Sequence, residues 1–398
     1  MEMQSSAPST SKKKQDHRTW VEISRAALLH NLSVVGRMAP HAAIIAVLKA
    51  NAYGHGMEEV ARTMRNEVAS FAVASLQEAL RIRKVVKEKP IMLLSPALPS
   101  EYQEIAGHGF IPTLSSYQEA CSFSAQAPVG APIHLKINTG MGRLGLWYEE
   151  AEEELKKIRE LPLHLESIST HLPSADDDPN YTHRQIELFQ KIVTSLRSLV
   201  PSAKVHFLNS AGLLRFSTAT YDSVRLGLML YGISPLPALQ KYFIPALTWK
   251  SRVALLQRLP KGSTISYGRT YTAPRNIRAA ILPVGYADGY PRQLSGQGAF
   301  VLIEGKQAPL LGRVTMDQII VDVTDIEQVH LGSQAVLLGK QGSKEIGARE
   351  LAARAGTIAW HLFTGITERV QRCYHDLLEC SVEQETWKNK CLSNESFQ

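Results

Sequence analysis

The residues with the most chemistry to offer stand at the ends of short apolar runs. Lys49 follows the run 43–48, Asn138 closes 132–138, His171 follows 163–170, Asn209 and Ser210 follow 204–208, and Arg225 lies in 224–231. A lysine leaving an apolar strand is a candidate for burial, which lowers an ammonium pKa by penalising the charged form. Its free amine could then form a Schiff base with an aldehyde cofactor or a carbonyl substrate. Just beyond it, Tyr53-Gly54-His55-Gly56 is a glycine-bearing loop that opens the next helix. Later ends add small hydroxyl and amide groups and then an arginine. Taken one at a time these residues read equally well as a solvated strand cap, a tight turn and a plain hydrogen-bonding histidine.

Positioning so many polar groups together needs a scaffold, and the hydrophobic periodicity describes one. Strands are expected at 43–48, 71–74, 90–95, 110–113, 132–138, 163–170, 204–208 and 224–231. Between them, segments such as 57–68, 76–87, 148–161 and 182–199 repeat apolar residues at three- and four-residue steps. Eight strands alternating with helices predict an α/β fold, a (β/α)8 barrel, in which functional side chains gather at the C-terminal strand ends. No G-x-G-x-x-G follows the first strand, which weighs against a doubly wound open sheet. Beyond residue 248 the helical period fades, and strands are expected at 253–259, 278–283, 300–303, 319–323 and 335–338, with one helix at 348–355. The segment 19–23 also reads as a strand, of either domain. The expected layout is a polar tail at 1–16, the barrel over 17–247, a smaller mainly-β domain over 248–378, and a second polar tail at 379–398.

Composition narrows the function classes. The 398 residues are 44% hydrophobic and 20% charged, ordinary for a globular enzyme. The net charge of +7 comes from scattered residues, and the run Lys12-Lys13-Lys14 has no zinc-finger, RRM or helix-turn-helix pattern beside it, so no nucleic-acid partner is expected. The longest strongly apolar run, 42–48, is far shorter than a membrane span, and no membrane association is expected. Four cysteines, three of them at 373, 380 and 391, suggest reduced thiols, and the first twenty residues hold no apolar signal core. A cytoplasmic protein without a bound metal is the expectation.

Five ordered segments then carry a family resemblance. Residues 46–56, Ala-Val-Leu-Lys-Ala-Asn-Ala-Tyr-Gly-His-Gly, closely resemble the pyridoxal-phosphate lysine motif of alanine racemases. Residues 135–143, the Ser266-Tyr267-Gly268 triplet, residues 285–289 (Gly-Tyr-Ala-Asp-Gly) and Met316-Asp317-Gln318 resemble the same family, in order, across about 19–375. The resemblance implies a fold-type III barrel followed by a β domain, and a homodimer with shared active sites.

It also implies roles. Lys49 would carry pyridoxal 5'-phosphate and act as base on one face of the substrate, with Tyr267 as the opposite-face base supplied from the partner subunit. Two bases on opposite faces are what racemisation needs. A tyrosine with an ordinary pKa of about 10 needs cationic help, and His171 beside Arg225 is expected to supply it. Arg225 would face the pyridine nitrogen and, reluctant to lose a proton, leave that nitrogen unprotonated. Tyr53, Asn209, Ser210, Gly227, Leu228 and Trp360 would complete the cofactor site. Arg143 and Met316 would bind the substrate carboxylate, supported by Lys136, which is carbamylated in some members, and by Asp317 and Tyr286. Asp176, Arg292 and Arg313 match a substrate corridor.

Three positions depart from the family pattern. Asn138 replaces an aspartate, Trp360 a tyrosine whose hydroxyl often reaches the phosphate, and Thr315 a frequent cysteine. The activity these features imply is interconversion of L- and D-alanine, supplying D-alanine for peptidoglycan. A racemase of the same fold acting on serine or a basic amino acid is the nearest alternative, since one side-chain atom changes selectivity only modestly. A non-catalytic pyridoxal-phosphate carrier would lack the domain that bears Tyr267 and Met316. A decarboxylase would show cysteine and aspartate chemistry that is not apparent there.

Overall fold

The computed structural model describes residues 17–378. The tails expected at 1–16 and 379–398, with Lys12, Lys13, Lys14, Cys380 and Cys391, lie outside the described residues. The apolar runs become eight parallel strands: Ala43–Val47, Ser70–Val73, Ile91–Leu93, Ile111–Leu114, Ala131–Asn138, Leu163–Ser169, Lys204–His206 and Ser223–Leu226. Each pairs with the next, and the eighth returns to the first, with Arg225 beside Ile45 and Leu226 beside Ala46. The sheet therefore has no free edge, and the expected barrel is present. Strands covered on both faces read as continuous apolar runs, which is why Ile44 to Leu48 are all buried.

The connecting helices follow from their stripes and caps. Met57–Met64 buries Met57, Val60, Ala61 and Met64, the spacing of a single helix face. The side chains of Ser75, Ser116 and Asp178 each accept a first-turn amide, and Pro179 opens the helix after Asp178.

Two expected strands change. The run 224–231 is strand only to Leu226; at Gly227 (φ −120°, ψ −95°) the backbone leaves the β region, and Leu228–Tyr231 is a 3₁₀ turn with all four residues buried. Its apolarity reflects core packing, which periodicity alone cannot tell from a strand. The strand expected at 253–259 begins only at Leu255 and is largely exposed; Leu247–Arg252 before it, whose alternate residues are buried, is a separate strand in a different sheet that the periodicity did not mark.

The chain forms two compact units. Among the described residues, one comprises Glu22–Thr248, Ala348–Thr367 and 372–378; the other comprises 17–21, Trp249–Gly347 and Glu368–Gln371. A linear division at 247/248 would place helices Ala348–Arg354 and Ala359–Thr364 with the β strands, but they belong to the barrel unit. Buried Leu351, Ala352, Leu362 and Phe363 and a hydrogen bond from Arg349 to the Ser234 carbonyl hold them there. In the β unit, strands Leu255–Leu259, Ile277–Leu282 and Ile319–Asp322 form one antiparallel sheet. Phe300–Ile303, Lys306–Pro309 and Gln334–Gln341 contribute to another, next to Trp249 and Lys250. Trp249 is fully buried edge-on to Tyr290. The 19–23 strand is Thr19–Ser24, and its first residues join this unit: Thr19 Oγ1 donates to Lys250 O and accepts from Trp249 Nε1, each at 3.0 Å.

Candidate active site

Lys49 leaves the first barrel strand and is followed by an unusual backbone. Ala50, Asn51 and Ala52 have φ 54° with ψ of 52°, 45° and 51°, and Tyr53 has φ 52°. Four consecutive non-glycine residues thus form a left-handed turn, a conformation that costs L-residues about 1–2 kcal/mol each. Side-chain bonds from elsewhere hold it. Ala50 N donates to Glu78 Oε1 at 2.7 Å, and Asn51 Oδ1 accepts from Met57 N at 3.0 Å and Arg81 Nη2 at 3.1 Å. His55 Nδ1 donates to the carbonyls of Ala52 and Tyr53. The turn ends at Gly54 (φ 79°), where any Cβ would also meet the Phe363 carbonyl. Burial is the main cause that lowers the Lys49 pKa, helped by the charges of Arg143 and Arg225 and opposed by Glu78.

Below Lys49 the barrel interior is polar and cationic. His134 and Lys136 alternate along the fifth strand, so both point inward. Lys136 Nζ donates to Ser169 Oγ (3.1 Å) and Thr170 O (2.8 Å), with no carboxylate partner among the described residues, and desolvation followed by Arg225 and Arg143 holds its pKa well below the usual value. Buried Arg225 donates through Nη1 to His206 Nδ1 (2.7 Å) and through Nη2 to His171 Nδ1 (3.0 Å) and Thr170 O (3.1 Å). Its pKa is lowered to about 10, chiefly by desolvation, so it remains charged at neutral pH. His206 stacks on His134 at 5.0 Å, and the His134 nitrogens hydrogen-bond with the Ser167 and Ser169 hydroxyls.

His171 corrects one expectation. Desolvation, then the charges of Arg225, Lys136, Arg143 and Lys49, keep its pKa well below the usual histidine value. It is a neutral acceptor for the Arg225 guanidinium and not itself a cation. Any positive charge felt through it belongs to Arg225.

A cavity of about 300 Å³ opens over this floor, lined by Lys49, Tyr53, His171, Asn209, Ser210, Arg225, Gly227, Leu228 and Trp360 among others. The nine residues expected around the cofactor therefore line one cavity, Trp360 among them although the expected boundary put it in the β domain. Tyr53 is buried, and desolvation pushes its phenol up to about 12, so it serves as an O–H donor at neutral pH. Gly227 leaves room for it: a Cβ there would collide with the Tyr53 hydroxyl. Asn209 accepts from Gly212 N (2.8 Å) and donates to Leu172 O (2.9 Å), capping the helix Ser210–Arg215. Met141, Asp176 and Pro235 also line the cavity. Arg143 is exposed and is not among the lining residues, although its charge acts on Lys49. Asn138 Oδ1 accepts the amides of Gly140 and Gly142, so it shapes the loop before Arg143.

The β unit gathers the remaining motifs by itself. Ser266 (φ 64°) donates its hydroxyl to Arg313 O at 2.7 Å and presents Tyr267, 72% exposed. Tyr286 N donates to Thr315 O and Ala287 N to Met316 O, joining two motifs thirty residues apart. Asp288 accepts from Gly285 N, and Arg369 ion-pairs with Asp288 and donates to Asp317. Met316 and Tyr286 are 53% and 41% exposed. Thr315 Oγ1 donates to Gln318 O, a local bond within the turn.

Glu78, Arg81, His134 and His206 are additions to the residues read from sequence. His134 leaves a trace, since it and Lys136 are polar residues two apart in an otherwise buried strand; His206, two residues from the exposed Lys204, leaves none. Glu78 and Arg81 leave none, being ordinary surface-type residues of an amphipathic helix. Among the described residues no group of three His, Cys, Asp or Glu could hold a metal, and no helix is long and apolar enough to cross a membrane.

A closed barrel with a desolvated lysine at its first strand end, an arginine-centred floor and a second β unit defines a lysine-dependent barrel enzyme. Residues 23–235 match the family profile "Alanine racemase, N-terminal domain", and 246–374 match "Alanine racemase, C-terminal domain". The chain belongs to the alanine racemase family. It is 40% identical over 366 residues to the alanine racemase of Halothermothrix orenii, covering 89% of this chain and 96% of that one. Its structure is similar to that of the Bacillus anthracis alanine racemase with bound L-Ala-P (TM-score 0.84, 33% identity, 90% and 95% of the two chains). It is also similar to the Bartonella henselae alanine racemase with covalently bound pyridoxal phosphate (TM-score 0.81, 26% identity, 90% and 100%).

Proposed function

We propose that this chain interconverts L- and D-alanine with pyridoxal 5'-phosphate by a two-base mechanism, as a homodimer with shared sites. The observation that carries the reading is the desolvated Lys49 amine, placed in one cavity with Arg225, Tyr53 and Ser210. The donor set suits the cofactor. A lysine with a lowered pKa offers the free amine an aldehyde needs, and Tyr53, Ser210, Trp360 and the backbone at Gly227 and Leu228 offer donors to a phosphate. Arg225 offers a guanidinium donor to a ring nitrogen, steadied by two neutral imidazoles. When bound, the cofactor supplies an electron-withdrawing ring that makes the substrate Cα–H acidic.

The protein's own groups then move one proton. Lys49 Nζ takes it from one face of Cα, and the Tyr267 hydroxyl of the partner subunit delivers one to the other; the reverse direction exchanges the two roles. Arg143 and the Met316 amide of the partner subunit hold the substrate carboxylate, with Lys136 behind Arg143. The exposed Tyr267, Met316 and Tyr286 support a dimer reading, because large hydrophobic side chains grouped on the loops of one unit are what a partner covers. Trp360 brings an indole N–H where the family has a phenol, so the phosphate is held through a different geometry. A small substrate and a D-alanine product serving peptidoglycan synthesis in the cytoplasm complete the proposal.

Incubation of purified protein and cofactor in D₂O with L-alanine tests it, following optical rotation and Cα deuterium together. Loss of rotation with deuterium uptake, fastest for alanine, is expected. Faster turnover of L-serine, L-lysine or L-arginine would replace the substrate and keep the chemistry. No exchange with any of the four, despite bound cofactor, would overturn the reading in favour of a carrier.

A further inference from the structure

We propose that Glu78 and Arg81, about one turn apart on the helix Leu76–Val85, are positioning residues that hold the left-handed turn at 50–53 and so set the direction in which Lys49 presents its amine. The inference rests on Lys49 being the cofactor-carrying residue. Glu78 divides its carboxylate between two backbone amides: Oε1 accepts from Ala50 N at 2.7 Å and Oε2 from Ala74 N at 2.8 Å. Ala50 directly follows Lys49, and Ala74 directly follows the second barrel strand. One side chain therefore ties the residue after the lysine to the neighbouring strand end. Arg81 forks onto Glu58, Nε to Oε1 at 2.8 Å and Nη2 to Oε2 at 3.0 Å, and the same Nη2 reaches Asn51 Oδ1 at 3.1 Å.

Ordinary helix capping does not account for these bonds. Ser75 already accepts the Glu78 amide, and a glutamate in the first turn need only reach back to the start of its own helix, which Oε2 does. The bond from Ala50 adds nothing to that helix, and the Arg81–Glu58 pair is complete without Asn51. Both extra bonds fall on consecutive residues of a run of four left-handed non-glycine residues, the longest such run among the described residues. They are charge-assisted, the stronger class of hydrogen bond. Glu78 also acts on the amine itself: of the charges reaching Lys49, it is the one that favours the protonated form. A clamp of this kind fixes the backbone that follows the lysine from one neighbouring helix, and its carboxylate offsets part of what burial and the two arginines do to the amine.

The test uses the full chain with pyridoxal 5'-phosphate as probe and four variants, Glu78→Ala, Glu78→Gln, Arg81→Ala and Lys49→Ala. Hydrogen–deuterium exchange reads residues 49–56, and the visible absorbance gained on adding the cofactor to the cofactor-free protein is followed against pH. Loss of one charge-assisted bond is expected to speed exchange in 49–56 by about tenfold or more in Glu78→Ala and Arg81→Ala, with the barrel strands unchanged. Glu78→Gln keeps an acceptor for one amide but no charge, so its absorbance should develop at lower pH than in the parent. That shift is one a purely structural role would not produce, and it decides the matter if Glu78→Ala fails to fold. Unchanged exchange in 49–56 together with an unshifted pH profile in Glu78→Gln would overturn the clamp. Lys49→Ala separates the two levels: if it still gains the parent's absorbance, the assignment of Lys49 falls, whereas its loss beside parent-like Glu78 variants removes the clamp alone.

Discussion

Lys49 and Tyr267 are offered by their units in opposite ways. Lys49 sits over a built cavity, on a turn braced by three side chains, with a cationic floor that lowers its proton affinity. Tyr267 stands 72% exposed on a short loop beside a left-handed serine. The barrel unit thus lines its cavity with its own residues, and the β unit shapes a loop that presents Tyr267 outward. Under the proposed mechanism a second copy of the chain supplies what each half lacks.

Variants can break that comparison, the severest first. Lys49→Ala should remove both the cofactor's visible absorbance and racemisation, a loss of roughly 10⁴-fold or more. Tyr267→Phe should cost about 10²–10⁴-fold in turnover and leave the absorbance intact, because only the opposite-face proton transfer is lost. Mixing the two inactive variants under conditions that exchange subunits should restore about a quarter of parental activity, since half of the reassorted dimers carry one intact site. No recovery despite demonstrated exchange would mean that the two residues do not share a site across subunits.

Smaller effects sharpen the barrel side. Gly227→Val should displace the Tyr53 hydroxyl and weaken cofactor binding by about tenfold, read by absorbance titration, with the β unit's hydrogen-exchange pattern unaltered. Acid should loosen the barrel unit before the β unit. His55 (lowered to about 4), His134, His171 and His206 all have depressed folded-state values with burial as the leading cause, and all lie in the barrel unit. The unfolded chain binds protons near pH 6.5 that these imidazoles refuse when folded. Their contribution to stability is therefore complete above that pH and declines as pH falls towards the folded values. Exchange measured from pH 7 to 5 should show barrel strands losing protection first; simultaneous loss in both units would contradict this.

Much of the site was legible because the chemistry lies at strand ends and strand ends follow from periodicity. Lys49, His171, Asn209, Ser210 and Arg225 were placed by that rule, and each lines the cavity. The errors share a cause. The buried 3₁₀ turn Leu228–Tyr231 carries the same apolar signal as a strand, and the run 253–259 is strand only from Leu255, after a change of sheet from Leu247–Arg252 that a local window does not register. The charge state of His171 depends first on its burial and then on the cations around it, which come from residues 225, 136, 143 and 49.

By itself, then, the sequence determined the alternation that closes eight strands into a barrel, the lysine at the first strand end and the family-wide order of motifs, since residue type and spacing act locally along the chain. The tertiary structure alone decided the left-handed turn that carries Lys49, the reach of Glu78 and Arg81 onto it, the neutrality of His171, and the placement of the Ala359–Thr364 helix, with Trp360, in the barrel unit. The physical reason is common to all four: each depends on desolvation or on bonds between residues far apart in sequence, and neither exists until the chain has folded.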